Sequence, residues 1–249
     1  MGEKVSDRHL IAHSTVDALL LAAGRGERLR PLTDVTPKPA LDVCGLPIGA
    51  WGLTALRRAG LSVAVNVSHL GHLVEAALRP FDPELVILDE GREPFGTAGT
   101  LREFGRMFGP RVVTYNADLI SDLDVGELLR DHVRIGASMT AAIQRVDGGA
   151  DLVTAGEQAV GFVDRRREPD RAGGRFLGIA VVEEDAIDII PPEGARGMGE
   201  SLLRPLAERG ELAVVVHEGY ALDVGTPDRL EEARRAVRTG RIALPVRRT

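Results

Sequence analysis

Short runs rich in Val, Leu and Ile recur along the chain between segments whose apolar residues fall at helical spacing. Strands buried on both faces read as continuous apolar runs and crossover helices read with a period near 3.6, so the alternation predicts an α/β fold. The expected architecture is a Rossmann-like mixed, mainly parallel sheet with helices on both faces. The pattern places strands at Val16 to Ala22, Ser62 to Val67, Leu85 to Leu88, Val112 to Asn116 and Ser138 to Gln144. It places helices at Ile48 to Ala59, His72 to Leu78, Thr97 to Phe108 and Val125 to Val133. After Gly148 the rhythm changes to short pieces, DLVTAG, AVGFV and FLGIAVV, separated by Gly and charged residues, which predicts a smaller, more antiparallel region. Helical segments at Glu200 to Arg209 and Pro227 to Arg238 then flank an apolar strand at Ala213 to Val216. No repeat or low-complexity linker interrupts this order, so one domain over 1–249 is expected, with parts at about 15–148 and 149–240. Residues 1 to 14 and the last seven read as loosely attached ends.

Composition narrows the function classes. The net charge is -6 and the isoelectric point about 5.6, which excludes the strong positive field that a nucleic-acid or anionic-membrane binder needs. A small anionic ligand is still compatible, because its site needs only a few local cations. Cys44 is the only cysteine, so no intrachain disulfide forms, and it reads as a small buried residue. The opening MGEKVSDRHLIAHSTVD has no continuous apolar core of a signal peptide, and no run of about eighteen apolar residues could span a bilayer. A cytoplasmic protein is expected. The six histidines show no zinc spacing, Asn66 and His69 in VNVSHL are placed to shape a cleft, and Trp51 and the stripe Leu56 to Leu61 read as core.

The chemistry concentrates in Leu19 to Leu41, LLLAAGRGERLRPLTDVTPKPAL. Here an apolar strand runs into a Gly-containing turn surrounded by cations. Gly24 and Gly26 can take backbone conformations closed to other residues and let a triphosphate approach the main chain, while Arg25, Arg28, Arg30 and Lys38 neutralise its charge. Prolines 31, 37 and 39 stiffen the return path, so Lys38 loses less entropy on being fixed at a phosphate. The segment is not a P-loop, which needs Gly-Lys followed by Ser or Thr. It lacks the third Gly of the dinucleotide fingerprint, where Leu29 stands.

At these residues the chain resembles the sugar-1-phosphate nucleotidyltransferases, whose opening signature is G-x-G-x-R-x-x-P-L-T followed by P-K-P. Every fixed position is filled: Gly24, Gly26, Arg28, Pro31, Leu32, Thr33, Pro37, Lys38 and Pro39. The resemblance continues through EPFGTAG (Glu93 to Gly99), NAD (Asn116 to Asp118, where the family usually has N-G-D) and LDVGTP (Leu222 to Pro227). It covers Val16 to Ala233 and is strongest toward mannose-1-phosphate guanylyltransferases and N-acetylmuramate-1-phosphate uridylyltransferases.

The resemblance implies that Arg28 and Lys38 hold the triphosphate and, with Asp118, form the catalytic set. It implies a nucleotide site from Leu21, Ala22, Ala23, Gly24, Arg25, Gly26, Glu27, Arg28 and Lys38, with Glu93, Gly96, Thr97 and Ala98 along the base. Asn116, Asp118, Gly178 and Asp223 are the implied substrate contacts on a smaller, antiparallel substrate side, and Asp118 and Asp223 the implied ligands of Mg²⁺. The residues themselves agree for Asp118, which follows the strand VVTYN and so lies at a carboxyl end, where open α/β sheets place their ligand crevice. Asp122 and Asp124 are rival metal ligands, and Arg165 to Arg167 are either a solvated face or part of the sugar-phosphate region. Two departures bear on the sugar-phosphate contacts: Glu168-Pro169 is a shifted remnant of the family's Glu-Lys-Pro, and Leu46 replaces a Lys or Arg. The implied partners are a nucleoside triphosphate and a sugar 1-phosphate, or a cyclitol phosphate, together with further copies of the chain, since the family often forms homo-oligomers. GTAG followed by Thr100-Leu101 favours GTP over UTP or dTTP. The rival from another class is a catalytically silent nucleotide-sugar binding subunit, to which Ala117 in NAD is congenial and which the retained acids oppose.

Overall fold

The computed structural model describes residues 15–193 and 196–245. The end expected over 1–14, and 246–249 of the other end, lie outside the described residues. Thirteen strands are described: β1 (Val16–Leu21), β2 (Asp42–Val43), β3 (Leu46–Pro47), β4 (Val63–Val67), β5 (Val86–Asp89), β6 (Phe108–Asn116), β7 (Leu119–Ser121), β8 (Met139–Val146), β9 (Leu152–Ala155), β10 (Gln158–Phe162), β11 (Gly173–Glu183), β12 (Leu212–Val216) and β13 (Ala221–Asp223). The α-helices are α1 (Gly49–Arg58), α2 (Gly71–Leu78), α3 (Thr97–Glu103), α4 (Val125–Ile135), α5 (Glu184–Asp188), α6 (Arg204–Arg209) and α7 (Pro227–Arg238).

Nine strands form one sheet in the order β5-β4-β1-β6-β11-β8-β12-β10-β9. Only β10 and β11 run against the others, so the sheet is mixed: seven strands share one direction, and the pairings divide into four parallel and five antiparallel. The FLGIAVV piece, expected in the smaller antiparallel region, is the long strand β11 and lies inside the main sheet between β6 and β8. Successive residues of β1 face opposite cores. Leu19 and Leu21 pack with α3, α5 and α6, and Ala18 and Leu20 with α1, α2 and α4. That two-sided burial is the cause of the unbroken apolar run ALLLAA, Ala18 to Ala23.

The helix expected over Thr97 to Phe108 ends at Glu103; a short 3-10 turn at Gly105–Met107 follows, and β6 begins at Phe108, four residues before the expected strand. The segment expected as one helix from Glu200 starts with a π turn, Gly199–Leu203, just before Pro205, which has no N–H to donate. Two ribbons, β2–β3 and β7–β13, escape the sequence pattern because two or three residues carry no periodicity. They matter for the site. A third core joins Leu29 of the first loop, Val43, Ile48, Trp51, Ile120, Leu222 and Val224 to Leu230 and Ala233 of α7. The C-terminal helix thereby clamps the cation-rich loop against the β7–β13 ribbon. Cys44, expected to be buried, is half-buried at the β2–β3 turn with φ of 55°, its Sγ 3.6 Å from the Arg234 carbonyl.

Candidate active site

The chain order reverses at β1: β4 and β5 lie to one side of it and β6 to the other. Ligands of open α/β sheets bind outside the carboxyl ends of strands at such a switch point. Leu21 and Asn116 are paired in register there, and Ala117 N–H donates to the Leu21 carbonyl at 2.9 Å. Residues 22–39 leave β1 over this edge.

Gly26 is where the loop needs glycine. Its φ is +65°, and a Cβ would stand 2.9 Å from Thr33 Cγ2 and 3.3 Å from Lys38 Cβ. Thr33 Oγ1 donates to the Gly26 carbonyl at 2.9 Å, closing the loop on itself. Gly24 differs from expectation, since it lies outside the left-handed region and a Cβ there would meet nothing within 4 Å. It is exposed and lies on the rim of the first cavity described below.

Lys38, between its two prolines, is buried, and its ammonium bridges two carboxylates: a short ion pair to Asp118 Oδ2 and a contact of 3.6 Å to Asp223 Oδ1. The two acids do not meet through their parent strands, because β6 and β12 are separated by β11 and β8. The β7–β13 ribbon joins them: Asp223 pairs with Leu119, and Val224 N–H donates to the Asp118 carbonyl at 2.9 Å. The rival acids are occupied elsewhere. Asp124 caps α4 by accepting from Glu127 N–H at 3.0 Å, and Asp122 Oδ1 is 2.9 Å from His217 Nε2.

Two cavities meet at this point. The first is lined by Leu21, Ala22, Ala23, Gly24 and Lys38 from the first loop, by Gly96 and Thr97 from the EPFGTAG loop, and by Asn66, Glu90, Asn116 and Asp118. The second is lined by Arg28, Asp223, Gly225 and Arg229 on one side and Gln144, Arg165, Arg175 and Gly178 on the other, and again by Asn116 and Asp118. Arg28 packs over Gly225, where a Cβ would stand 2.6 Å from its Nη2. Gly178, with φ of +84°, leaves room for Asn116.

The remaining expected nucleotide contacts line neither cavity. Arg25 and Glu93 pair with each other at 2.8 Å and, with His69, line a neighbouring depression. Glu27 is exposed in a 3-10 turn, and Ala98 is buried, its N–H donating to the Arg196 carbonyl at 2.9 Å. The residues that sequence reasoning missed are Glu90 and, in the second cavity, Arg175 and Arg229. Glu90 is a buried carboxylate that accepts from Phe95 N–H and Asn66 Nδ2, each at 2.8 Å, and from Thr100 Oγ1. Asn66 Oδ1 in turn accepts from Ala22 N–H at 2.7 Å, so one network ties the first loop to the start of α3. Its signal was a carboxylate placed directly after the strand VILD, at a carboxyl end like Asp118.

A family model described as "Nucleotidyl transferase" matches residues 17–152, more than half of the chain. The chain belongs to the nucleotidyl transferase family. Its relatives include an N-acetylmuramate alpha-1-phosphate uridylyltransferase of Neisseria meningitidis, 32% identical over 87% of this chain and 96% of that protein. A mannose-1-phosphate guanylyltransferase of Mycobacterium tuberculosis is 28% identical over 88% of this chain, and the match spans only 63% of that longer protein. Among solved structures, HddC from Yersinia pseudotuberculosis, complexed with GMP-PN, is similar in fold, with a TM-score of 0.71 at 19% identity over 89% of this chain and 99% of that one. No helix among the described residues is long and apolar enough to cross a membrane.

Proposed function

We propose that this family member joins a nucleoside triphosphate to a sugar 1-phosphate and releases pyrophosphate. The observation that carries the reading is that the two cavities share Asn116 and Asp118 at a point where Lys38, Asp118 and Asp223 converge. A triphosphate in the first cavity and a sugar phosphate in the second would bring their phosphates together there. A phosphate oxygen of the acceptor attacks the α-phosphorus, the bond from that phosphorus to the bridging oxygen breaks, and pyrophosphate leaves with the electron pair. No protein nucleophile is needed. The work of the chain is positioning and charge neutralisation, with Lys38 offsetting the charge that gathers on the leaving group and Arg28, which lines the second cavity, the charge of the acceptor phosphate.

Two carboxylates, with no third protein acid beside them among the described residues, fit Mg²⁺, which keeps several waters and takes phosphate oxygens as its other ligands, better than zinc, which takes three or four protein ligands. Asp118 and Asp223 would hold the ion, which when bound supplies positive charge between the phosphates. We favour GTP, with UTP and dTTP as the alternatives, and a cyclitol phosphate as the alternative acceptor. The substrates are those of the cytoplasm, where we place the protein, and self-association is compatible with the reading. Pyrophosphate release over a panel of triphosphates and sugar phosphates with Mg²⁺ tests the proposal. Silence across the whole panel would leave a nucleotide-sugar binding subunit in its place.

A further inference from the structure

Resting on that reading, we propose that the acceptor is an acidic sugar 1-phosphate, carrying a carboxylate away from its phosphate, and that Arg175 binds this second anion. The side of the second cavity that holds Asp223 already has its cations, Arg28 and Arg229, and the Lys38 ammonium lies behind the two acids. The other end holds Arg165 and Arg175, and these stand in different states. Arg165 is paired with Asp151, whose Oδ2 also accepts from Phe176 N–H at 2.8 Å. Arg175 has no carboxylate partner among the described residues. Its Nη2 donates to the Gly148 carbonyl at 3.2 Å and its Nε to the Gly149 carbonyl at 3.4 Å, so two backbone oxygens orient the guanidinium and leave its charge unneutralised. Gly149 permits this approach, since a Cβ there would stand 2.9 Å from Nη2.

Of the five N–H groups of an arginine two are engaged, and the remaining three, including both on Nη1, are free for a ligand. A planar fork fixed in this way matches a carboxylate with two parallel bonds, whereas sugar hydroxyls are satisfied by uncharged amides such as nearby Gln144. Gly178 sits against Asn116 at the shared point, and Arg175, three residues away along β11 across the register shift between Phe176 and Ala180, lines the same cavity, so a sugar with its phosphate at Asn116 can present an acidic substituent to Arg175.

The test uses acceptor twins that differ only in the acid: glucuronate 1-phosphate against glucose 1-phosphate, and N-acetylmuramate 1-phosphate against N-acetylglucosamine 1-phosphate. With the best triphosphate, kcat/KM for the acid is expected to exceed that of its neutral twin at least tenfold in one pair or both. Arg175→Gln should lower the acid at least tenfold and the neutral twin less than threefold. Arg175→Lys, which keeps the charge and loses the fork, should fall between. Because each ratio is internal to one protein, a partly unfolded variant does not disturb it. Neutral twins used as well as or better than the acids in both pairs, or equal losses for both twins in Arg175→Gln, would overturn the inference while leaving nucleotidyl transfer intact. Absence of pyrophosphate with every acceptor and triphosphate would overturn the parent reading, and the inference with it.

Discussion

Replacing Gly178 by Ala sets stability against activity at one contact. With φ at +84°, an alanine there costs about 1–2 kcal/mol in backbone terms, since the left-handed region crowds Cβ against the carbonyl oxygen. The new Cβ would also stand 2.5 Å from Asn116 Cγ and closer still to Nδ2, an overpacking that typically costs about 1–3 kcal/mol. If Asn116 holds its place, the variant loses about 2–5 kcal/mol, the sum of those two costs. If Asn116 rotates away, the second cost falls, and its amide leaves the point shared by the two cavities, so turnover falls instead. Asn116→Ala separates the two contributions, because it deletes Cγ and Nδ2 while leaving a Cβ 3.0 Å away. In that background Gly178→Ala should cost only the backbone share, a coupling of about 1–3 kcal/mol. Urea unfolding of the four proteins, with turnover of the folded ones, gives both readings. A Gly178→Ala protein within about 0.5 kcal/mol of the parent and fully active would refute the argument, as would strict additivity of the two substitutions.

Lys38→Ala should lower turnover by about two to four orders of magnitude, the usual worth of a charge-stabilising group in a water-poor site, and near-normal steady-state turnover would remove it from the mechanism. Asp118→Asn and Asp223→Asn should each lose about two or more orders of magnitude, and the double variant should fall well short of the product if they serve one ion; turnover over a Mg²⁺ series reads this, and multiplicative losses would mean separate roles. Away from the site, Glu183 is partly desolvated, which raises its pKa, but hydrogen bonds from His132 and Arg111 outweigh that and hold it below the ordinary value. A depressed folded pKa stabilises above the unfolded pKa of about 4.3 and is lost as pH falls through the folded value, so the advantage of the parent over Glu183→Gln should shrink on acidification below that pH. Unfolding curves of the two proteins that stay equally spaced down to the acid limit would contradict it.

The long apolar runs were legible because burial on both faces leaves no polar alternation to misread, and β1, β4, β6, β8 and β12 all lie where such runs were found. The position of β11 was not legible. FLGIAVV reads equally well as a strand of a separate antiparallel layer, and only long-range pairing, Ile179 with Tyr115 on one side and Ala180 with Ala141 on the other, fixes it inside the sheet. Boundaries slipped where one-residue effects decide them, as at Glu103, where the helix stops ahead of Gly105 and the apolar pattern runs on into β6.

The site shows the same division at finer grain. A loop signature and a strand end, both local features, single out Lys38 and Asp118 separately, and the fold brings the two side chains into an ion pair. The resemblance implies that Asp118 and Asp223 share one ion, but the sheet strands that precede them, β6 and β12, are not neighbours. A ribbon of three residues on each side performs the joining, held down by Ile120 and Leu222 in the core that also holds Leu29 and α7. A ribbon that short is only marginally stable alone, so its register depends on that core. The consequence is physical: the spacing of the two acids around Lys38 is set by the packing of the C-terminal helix on the first loop. Cavity-forming substitutions at Leu222 or Leu230 would therefore loosen the acid pair, although neither residue lines the cavity that holds Lys38.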